Sequence, residues 1–320
     1  MSDFSMQIEL WKQCNNFCEF CYLEDQTKFT PEEIKLENIK KAHQIITNHF
    51  EKDPEQIKAI GFLGGEFFQG QIDTPTVRKE FYNLCKRCFD LIEINKIRDF
   101  WCYCTLTIGD QSDLYELVDL FDKTITDKEN HHFWIQVSYD PKGRYNAPGK
   151  FENWDKHLLN LQKYPFIRFN VTTIMTEAFL QAVLSKELDL QEFRNKYKNK
   201  FFFKQPNPTN DKEKLAVMQK MPWFFPKRKT YIDFLRFIKK YDLSLFDEIL
   251  NITLRSNEMF NSLEDRGNEL TPDRRNKETW EEDCTEINPK CGHVINYQCY
   301  ADSDACCLCD YFKVKTNEDL

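Results

Sequence analysis

The chain has 320 residues, of which 41% are hydrophobic and 30% charged, so it can build a sizeable core and is not disordered as a whole. No apolar run approaches the roughly 18 residues of a membrane span, and the first residues lack the basic and apolar regions of a signal peptide. The net charge of −8 hides one basic stretch, which runs from Arg194 to Lys240. These features predict a cytoplasmic protein without a membrane partner.

Strand-like and helix-like segments alternate along the first three quarters of the chain. Strands are predicted at 6–11, 57–63, 100–108, 133–139, 166–175 and 201–204, and helices at 31–50, 74–94, 113–121, 151–161, 177–197 (with a break) and 230–241. Such alternation is typical of a parallel sheet with helices packed outside it. Six units are fewer than the eight of a closed barrel, so we predict an α/β fold, a partial (β/α)6 TIM-like barrel with its chemistry at the C-terminal strand ends. We expect this barrel to span 1–242 and a Cys-rich extension to span 243–320.

The 13 cysteines are the most unusual feature of the composition. In a chain without an export signal, clustered thiols more often bind metal or take part in redox chemistry than form a disulfide framework. They fall into three groups: Cys14, Cys18 and Cys21; Cys85, Cys88, Cys102 and Cys104; and Cys284, Cys291, Cys299, Cys306, Cys307 and Cys309.

The first group lies in the loop that follows the first predicted strand. Three thiolates on one short loop can bind three irons of a [4Fe–4S] cluster, which leaves the fourth iron open to a small molecule. The alternatives are a zinc site or three incidental thiols, but structural zinc usually takes four protein ligands and no fourth ligand is local. A cluster therefore explains Cys14, Cys18 and Cys21 best.

The motif Cys14-x3-Cys18-x-Phe20-Cys21 resembles the signature of the radical S-adenosylmethionine (SAM) superfamily, with Phe20 in its aromatic position. The resemblance implies that the three cysteines are the catalytic ligands of a [4Fe–4S] cluster whose open iron chelates SAM. It also implies that an external donor of the flavodoxin or ferredoxin type reduces the cluster. Cleavage of SAM then gives a 5′-deoxyadenosyl radical, which takes a hydrogen atom from the substrate. The family fold is a partial (β/α)6 barrel as well, in agreement with the alternation above.

Gly64-Gly65-Glu66 ends the second predicted strand and looks like the GGE motif with which the family contacts the amino group of SAM. Glycines allow a close backbone approach, and a carboxylate suits an ammonium group. On its own, the tripeptide would more often be a turn.

Three further positions resemble SAM contacts of the family. Ser138 ends the fourth predicted strand and would bond to the ribose or methionyl group. Arg144 could pair with a carboxylate. Thr173 lies in the fifth strand region, which packs on adenine in the family, although the glycines usual there are missing.

The Cys-rich tail resembles the start of the SPASM or twitch domains, which hold auxiliary [4Fe–4S] clusters. The resemblance implies one auxiliary cluster with ligands among Cys284, Cys291, Cys306, Cys307 and Cys309, although Asp302 stands where those domains have glycine. A structural zinc site bound by Cys284, Cys291, Cys306 and Cys309 is the alternative, since four thiolates suit both metals.

The middle group of four cysteines is expected to be core, because free cysteine is among the most buried residue types. The basic stretch would by default be a solvated face. Because it adjoins the sixth strand and is interleaved with aromatic residues, it could instead dock an anionic substrate, a nucleotide or RNA.

We therefore predict a radical SAM enzyme that abstracts a hydrogen atom from its substrate, which is expected to be a peptide or protein. The alternatives are a radical SAM enzyme that acts on a nucleotide or another anionic small metabolite, and a non-catalytic iron–sulfur or zinc protein.

Overall fold

In the computed structural model, strands and helices alternate through the described part of the chain. The structure describes residues 5–14, 16, 18, 21, 29–52, 55–68, 74–140, 142–145, 147–199, 201–204, 220–224, 226–246 and 249. The strands are β1 (Ser5–Trp11), β2 (Ile57–Gly64), β3 (Ile97–Tyr103), β4 (Phe133–Tyr139), β5 (Ile167–Ile174) and β6 (Phe201–Lys204). The helices are α1 (Glu32–Lys52), α2 (Pro75–Glu93), α3 (Ser112–Thr124), α4 (Lys150–Leu161), α5 (Glu177–Leu184), α6 (Leu190–Tyr197) and α7 (Arg228–Tyr241).

The six strands form one sheet in the order β1-β2-β3-β4-β5-β6, the order of the sequence. The pairs β1/β2, β2/β3 and β3/β4 are parallel, and their register places Met6 beside Ile60, Ile60 beside Phe100, and Phe100 beside Phe133. A parallel strand pair needs a crossover connection, and α1, α2 and α3 supply these three. The predicted α/β class is confirmed, and the sheet is consistent with a partial barrel.

The chain divides into two compact units. The first comprises residues 1–172 and 194–202, and the second comprises 173–193 and 203–320. The strand ends of β1 to β4 and the loops that follow them belong to the first unit. The predicted boundary at 242/243 stays a prediction, since residues 251–320 lie outside the described part of the chain.

Phenylalanines join the helices of the first unit to the sheet. Phe89 of α2 lies edge-on to Phe100 at 5.1 Å between ring centroids, and to Phe121 of α3 at 5.1 Å. Phe100 meets Phe133 of β4, also at 5.1 Å. Edge-to-face pairs at this spacing are favourable beyond the area that they bury, so this aromatic layer fixes how α2 and α3 pack on the strands.

Local sequence signals account for several element ends. Thr74 caps α2 by accepting a hydrogen bond from the Val77 N–H, and Pro75 opens the helix. Thr176 caps α5 in the same way through Phe179 N–H. The predicted break within 177–197 is confirmed, because the segment forms α5 and α6.

The third strand differs from the prediction. It begins at Ile97 and ends at Tyr103, whereas 100–108 was expected. Residues 104–108 leave the sheet as a loop in which Leu106 has a φ of 57°, in the left-handed region that a side chain rarely adopts. The β-like composition of 104–108 concealed this loop.

No helix among the described residues is both long and apolar enough to cross a membrane.

The absence of a side chain at Gly61 of β2 makes room for the ring of Trp101 on β3, because a Cβ at position 61 would overlap that ring. Gly61→Ala should lower the free energy of unfolding by about 1–3 kcal/mol through overpacking. In a Trp101→Leu background the same change should cost less, since the obstructing ring is gone. Denaturant titration of the four proteins measures this coupling. Gly109→Ala is the control, because a Cβ there meets Asn153 only at ordinary contact distance, 3.6 Å; equal costs for Gly61→Ala in both backgrounds would contradict the packing.

Candidate functional site

The cysteine loop begins where β1 ends, and two backbone hydrogen bonds attach it to the end of β2. The Gly65 N–H donates to the Trp11 carbonyl at 2.9 Å, and the Glu66 N–H donates to the Gln13 carbonyl at 3.1 Å. The segment that carries the three cysteines therefore starts directly beside Gly64-Gly65-Glu66.

The two glycines are required by this backbone approach. A Cβ at Gly64 would collide with the Trp11 carbonyl oxygen, and one at Gly65 with the carbonyl oxygen of Gln13. The sequence suggested that the glycines admit a ligand, and the structure shows that they admit the start of the cysteine loop itself.

Glu66 is completely buried, and its carboxylate is held from two sides. Oε1 accepts from the Phe68 N–H at 3.1 Å, and Oε2 accepts from the Thr105 N–H at 2.6 Å and lies at hydrogen-bond distance from the Thr105 hydroxyl. Burial raises the pKa of Glu66, and the hydrogen bonds from Thr105 and Phe68 oppose that rise. The side chain is thus fixed in place before any ligand binds.

Two threonines of the β3–α3 loop continue this network to the cysteine loop. The Thr105 hydroxyl lies 3.0 Å from that of Thr107, and Thr107 Oγ1 donates to Asn16 Oδ1 at 2.7 Å. Asn16 lies between Cys14 and Cys18, and its backbone N–H donates to Cys14 Sγ at 3.5 Å. Hydrogen bonds therefore connect Glu66 with the middle of the cysteine loop.

The three thiols interact electrostatically with one another and with nearby charged groups, which are negative on the side of Cys14 and positive on the side of Cys18. Burial, and next the charge of Glu66, raise the pKa of the Cys14 thiol to about 12, and Cys18 and Cys21 add to the rise. Burial also raises the pKa of the Cys18 thiol, while Arg144 and Lys150 act to lower it. Metal binding requires the thiolates, so it would displace protons from these thiols.

The turn after β4 brings charge to the same loop. Asp140 is buried and caps the turn, where its Oδ1 accepts from the N–H groups of Lys142 and Gly143 at 3.2 and 2.8 Å. Burial acts to lower the pKa of Arg144, but the charges of Cys18, Asp140 and Cys21 outweigh it and raise that pKa. Lys150, at the start of α4, donates to the Asn16 carbonyl at 3.3 Å. Cationic groups therefore approach the Cys18 side of the loop.

The structure thus brings together Cys14, Cys18, Cys21, Gly64, Gly65, Glu66 and Arg144. Ser138 lies on β4, where the buried residues Val137 and Tyr139 alternate with it, so it faces away from the helices; its carbonyl accepts from the Tyr145 hydroxyl at 3.0 Å. Thr173 is buried in β5 and belongs to the second unit. Phe20 and the tail cysteines Cys284, Cys291, Cys299, Cys306, Cys307 and Cys309 lie outside the described residues.

Within the described part of the chain, no group of three His, Cys, Asp or Glu side chains is arranged to hold a single metal ion. Three thiolates that each bind a different iron of a cubane need not converge on one point. The donor set of three thiols on one loop, of which Cys18 is buried and Cys14 and Cys21 are half-buried, with cations beside it, fits such an anionic iron–sulfur group. The four middle cysteines, Cys85, Cys88, Cys102 and Cys104, are buried core residues, as predicted.

Sequence reasoning missed four residues of this site: Asn16, Thr105, Thr107 and Lys150. If the prediction had ended β3 at Tyr103, Thr105 and Thr107 would have been placed in the loop after it. Loops after parallel strands meet at one edge of the sheet, so both residues would then have been expected at the site. Asn16 and Lys150 carry no comparable signal, because their place depends on how α4 packs beside the loop.

A scan against models of known protein families finds no match, and a search of curated proteins finds none either.

The raised pKa of Glu66 makes a testable contribution to stability. Burial holds the pKa of the folded carboxyl above that of the unfolded one, so the unfolded state ionises first as the pH rises above about 4.5. This contribution therefore favours folding at low pH and is lost as the pH rises. The free energy of unfolding of the metal-free protein, minus that of Glu66→Gln, should therefore fall between pH 4.5 and 7. Denaturant titrations across this range measure the difference.

Glu93→Gln is the matched control for that experiment. Hydrogen bonds from Thr126 lower the pKa of the Glu93 carboxyl, so its difference should have the opposite slope in titrations extended below pH 4.5. A pH-independent difference for Glu66→Gln would contradict the assignment.

Proposed function

We propose that this chain is a radical SAM enzyme in which Cys14, Cys18 and Cys21 hold a [4Fe–4S] cluster. When bound, the cluster would supply the electron that cleaves SAM to methionine and a 5′-deoxyadenosyl radical, which abstracts a hydrogen atom from the substrate. A reducing cytoplasm and an external donor of the flavodoxin or ferredoxin type belong to the proposal.

The observation that carries it is the attachment of the cysteine loop to Glu66. Two backbone hydrogen bonds and two glycines hold the ends of β1 and β2 side by side, and the charge of the fixed Glu66 carboxylate acts on the Cys14 thiol. The sequence places three thiols on this loop without a fourth local ligand, and one buried carboxylate lies beside them. This arrangement suits a cluster with one open iron, which would bind the amino and carboxylate groups of SAM.

The chain's own residues would then divide the work. Glu66 would accept a hydrogen bond from the ammonium group of SAM, and its bonds to Thr105 and Phe68 keep it oriented for this. Arg144 and Lys150 would balance the negative charge of the thiolates. Ser138, on the face of the sheet that points away from the helices, would meet the ribose or methionyl group. The contact of Thr173 with adenine stays a prediction from the sequence.

A peptide or protein remains the proposed substrate, and an anionic metabolite the alternative. The basic stretch gives the alternative little support where it is described. Lys196 pairs with Asp155 at 2.7 Å and Lys229 with Asp233 at 2.7 Å, so these cations are balanced locally. Of the interleaved aromatic residues, Phe201, Phe203 and Phe224 are buried, whereas Phe202 is exposed.

Anaerobically reconstituted protein, reduced with dithionite, should bind iron and release 5′-deoxyadenosine from SAM. The triple variant Cys14→Ala, Cys18→Ala and Cys21→Ala should lose the cluster of this loop and at least 100-fold in 5′-deoxyadenosine release, about 2.7 kcal/mol in activation free energy. Iron analysis, electron paramagnetic resonance (EPR) and chromatography of the nucleoside measure these effects.

Cys88→Ala serves as the control for that loss, because Cys88 is a buried thiol of α2. It should keep the cluster and the cleavage. If the wild-type protein binds iron but releases no 5′-deoxyadenosine, the chain is a non-catalytic iron–sulfur protein. If the triple variant cleaves SAM as fast as the wild type, the cluster is not bound by this loop.

A variant in which Cys284, Cys291, Cys299, Cys306, Cys307 and Cys309 are all changed to Ala tests the second proposed cluster. It should lose about half of the bound iron and keep the EPR signal of the SAM-binding cluster. Parallel iron and zinc analysis separates the two metals, since loss of about one zinc per chain with unchanged iron would assign a structural zinc site instead.

A further inference from the structure

Asn16 carries a polar group that none of the described residues satisfies. Its side chain is only 2% exposed, yet Nδ2 has no hydrogen-bond partner among the described residues. A buried amide donor without an acceptor is costly and is rarely left so. In a loop that carries three cysteines, such a donor indicates an acceptor that belongs to a bound group.

The orientation of this amide is fixed by its neighbours. Thr107 Oγ1 donates to Asn16 Oδ1 at 2.7 Å, which turns Nδ2 away from Thr107. Thr107 is in turn held through its carbonyl, which accepts from Asn153 Nδ2 at 3.1 Å. The backbone of Asn16 is held at both ends, by Cys14 Sγ at its N–H and by Lys150 Nζ at its carbonyl.

The loop that presents Thr107 is itself strained. Leu106, between Thr105 and Thr107, has a φ of 57° and is completely buried. A leucine in the left-handed region persists only where its surroundings impose it, and such residues cluster at functional sites. The conformation lets Thr105 contact Glu66 while Thr107 contacts Asn16.

We propose that Asn16 donates a hydrogen bond from Nδ2 to an acceptor atom of the group held in the cysteine loop, and that Thr107 is the positioning residue that aims this donor. The proposal rests on the proposed function. The acceptor is negatively polarised, either a sulfur of the cluster or the carboxylate of SAM.

The two sources predict different measurements. Hydrogen bonds to cluster sulfurs stabilise the more negative, reduced cluster and raise its reduction potential. With sulfur as the acceptor, Asn16→Leu should lower the ratio of reduced to oxidised cluster at a fixed potential about tenfold, a shift of about 59 mV for one electron, without SAM. With the SAM carboxylate as the acceptor, the potential without SAM should stay constant and SAM binding should weaken about tenfold.

EPR-monitored redox titration with and without SAM, on protein of matched iron content, measures both effects. Thr107→Val, which keeps the shape and removes the hydroxyl, should shift the same quantity in the same direction. Thr107→Ser should restore the wild-type value. Thr124→Val is the matched control, because the Thr124 hydroxyl donates to the Leu120 carbonyl in α3, away from the loop.

The results for these variants and for the wild type decide the proposal. A shift in Asn16→Leu and Thr107→Val, but not in Thr107→Ser or Thr124→Val, supports it. If Asn16→Leu binds no iron, Thr107→Val alone decides. Unchanged potential and SAM affinity in variants that bind iron overturn the role of Asn16 and leave the radical SAM function standing, whereas wild-type protein that takes up no cluster overturns both.

Discussion

The candidate site depends on one backbone contact, the approach of the chain after β1 to the chain at the end of β2. The carbonyls of Trp11 and Gln13 receive the N–H groups of Gly65 and Glu66, and no side chain fits at position 64 or 65. Backbone hydrogen bonds at this spacing fix both position and direction, which a pair of flexible side chains would not. Every other contact of the site builds on the loop that this approach positions.

The loops after β3 and β4 complete the site because parallel strands deliver their ends to one edge. Thr105 and Thr107 come from the first of these loops, and Asp140 and Arg144 from the second. In each loop the chain changes direction soon after the strand ends. Leu106, in the left-handed conformation, does this in one loop, and the turn capped by Asp140 does it in the other. The sheet therefore supplies precision, and the short loops supply the chemistry.

Much of the fold was predictable from the sequence, since hydrophobic periodicity reports local structure directly. Residues 133–139 and 201–204 match β4 and β6 to the residue, and the cysteine motif and Gly64-Gly65-Glu66 were found as short linear patterns. The hydrogen-bond network was not predictable in this way. Asn16 and Thr107 are 91 residues apart in sequence. Their contact depends on where β3 ends, and the β-like composition of residues 104–108 concealed that end. The sequence also did not reveal that the two glycines make room for the backbone after β1 rather than for a ligand, because a sequence does not show which backbone passes beside them.

The charges around the three thiols are unevenly distributed, and the imbalance bears on how a bound group would lie. Glu66 raises the pKa of Cys14, whereas Arg144 and Lys150 act to lower that of Cys18. Anionic thiolates and sulfides are stabilised on the side of the cations, while a buried carboxylate gains most from a cation brought next to it. SAM carries an ammonium and a sulfonium group. Under the proposed function, the cationic groups of SAM would be favoured on the Cys14 side, where Glu66 lies, and the negative charge of the thiolates on the side of Arg144 and Lys150.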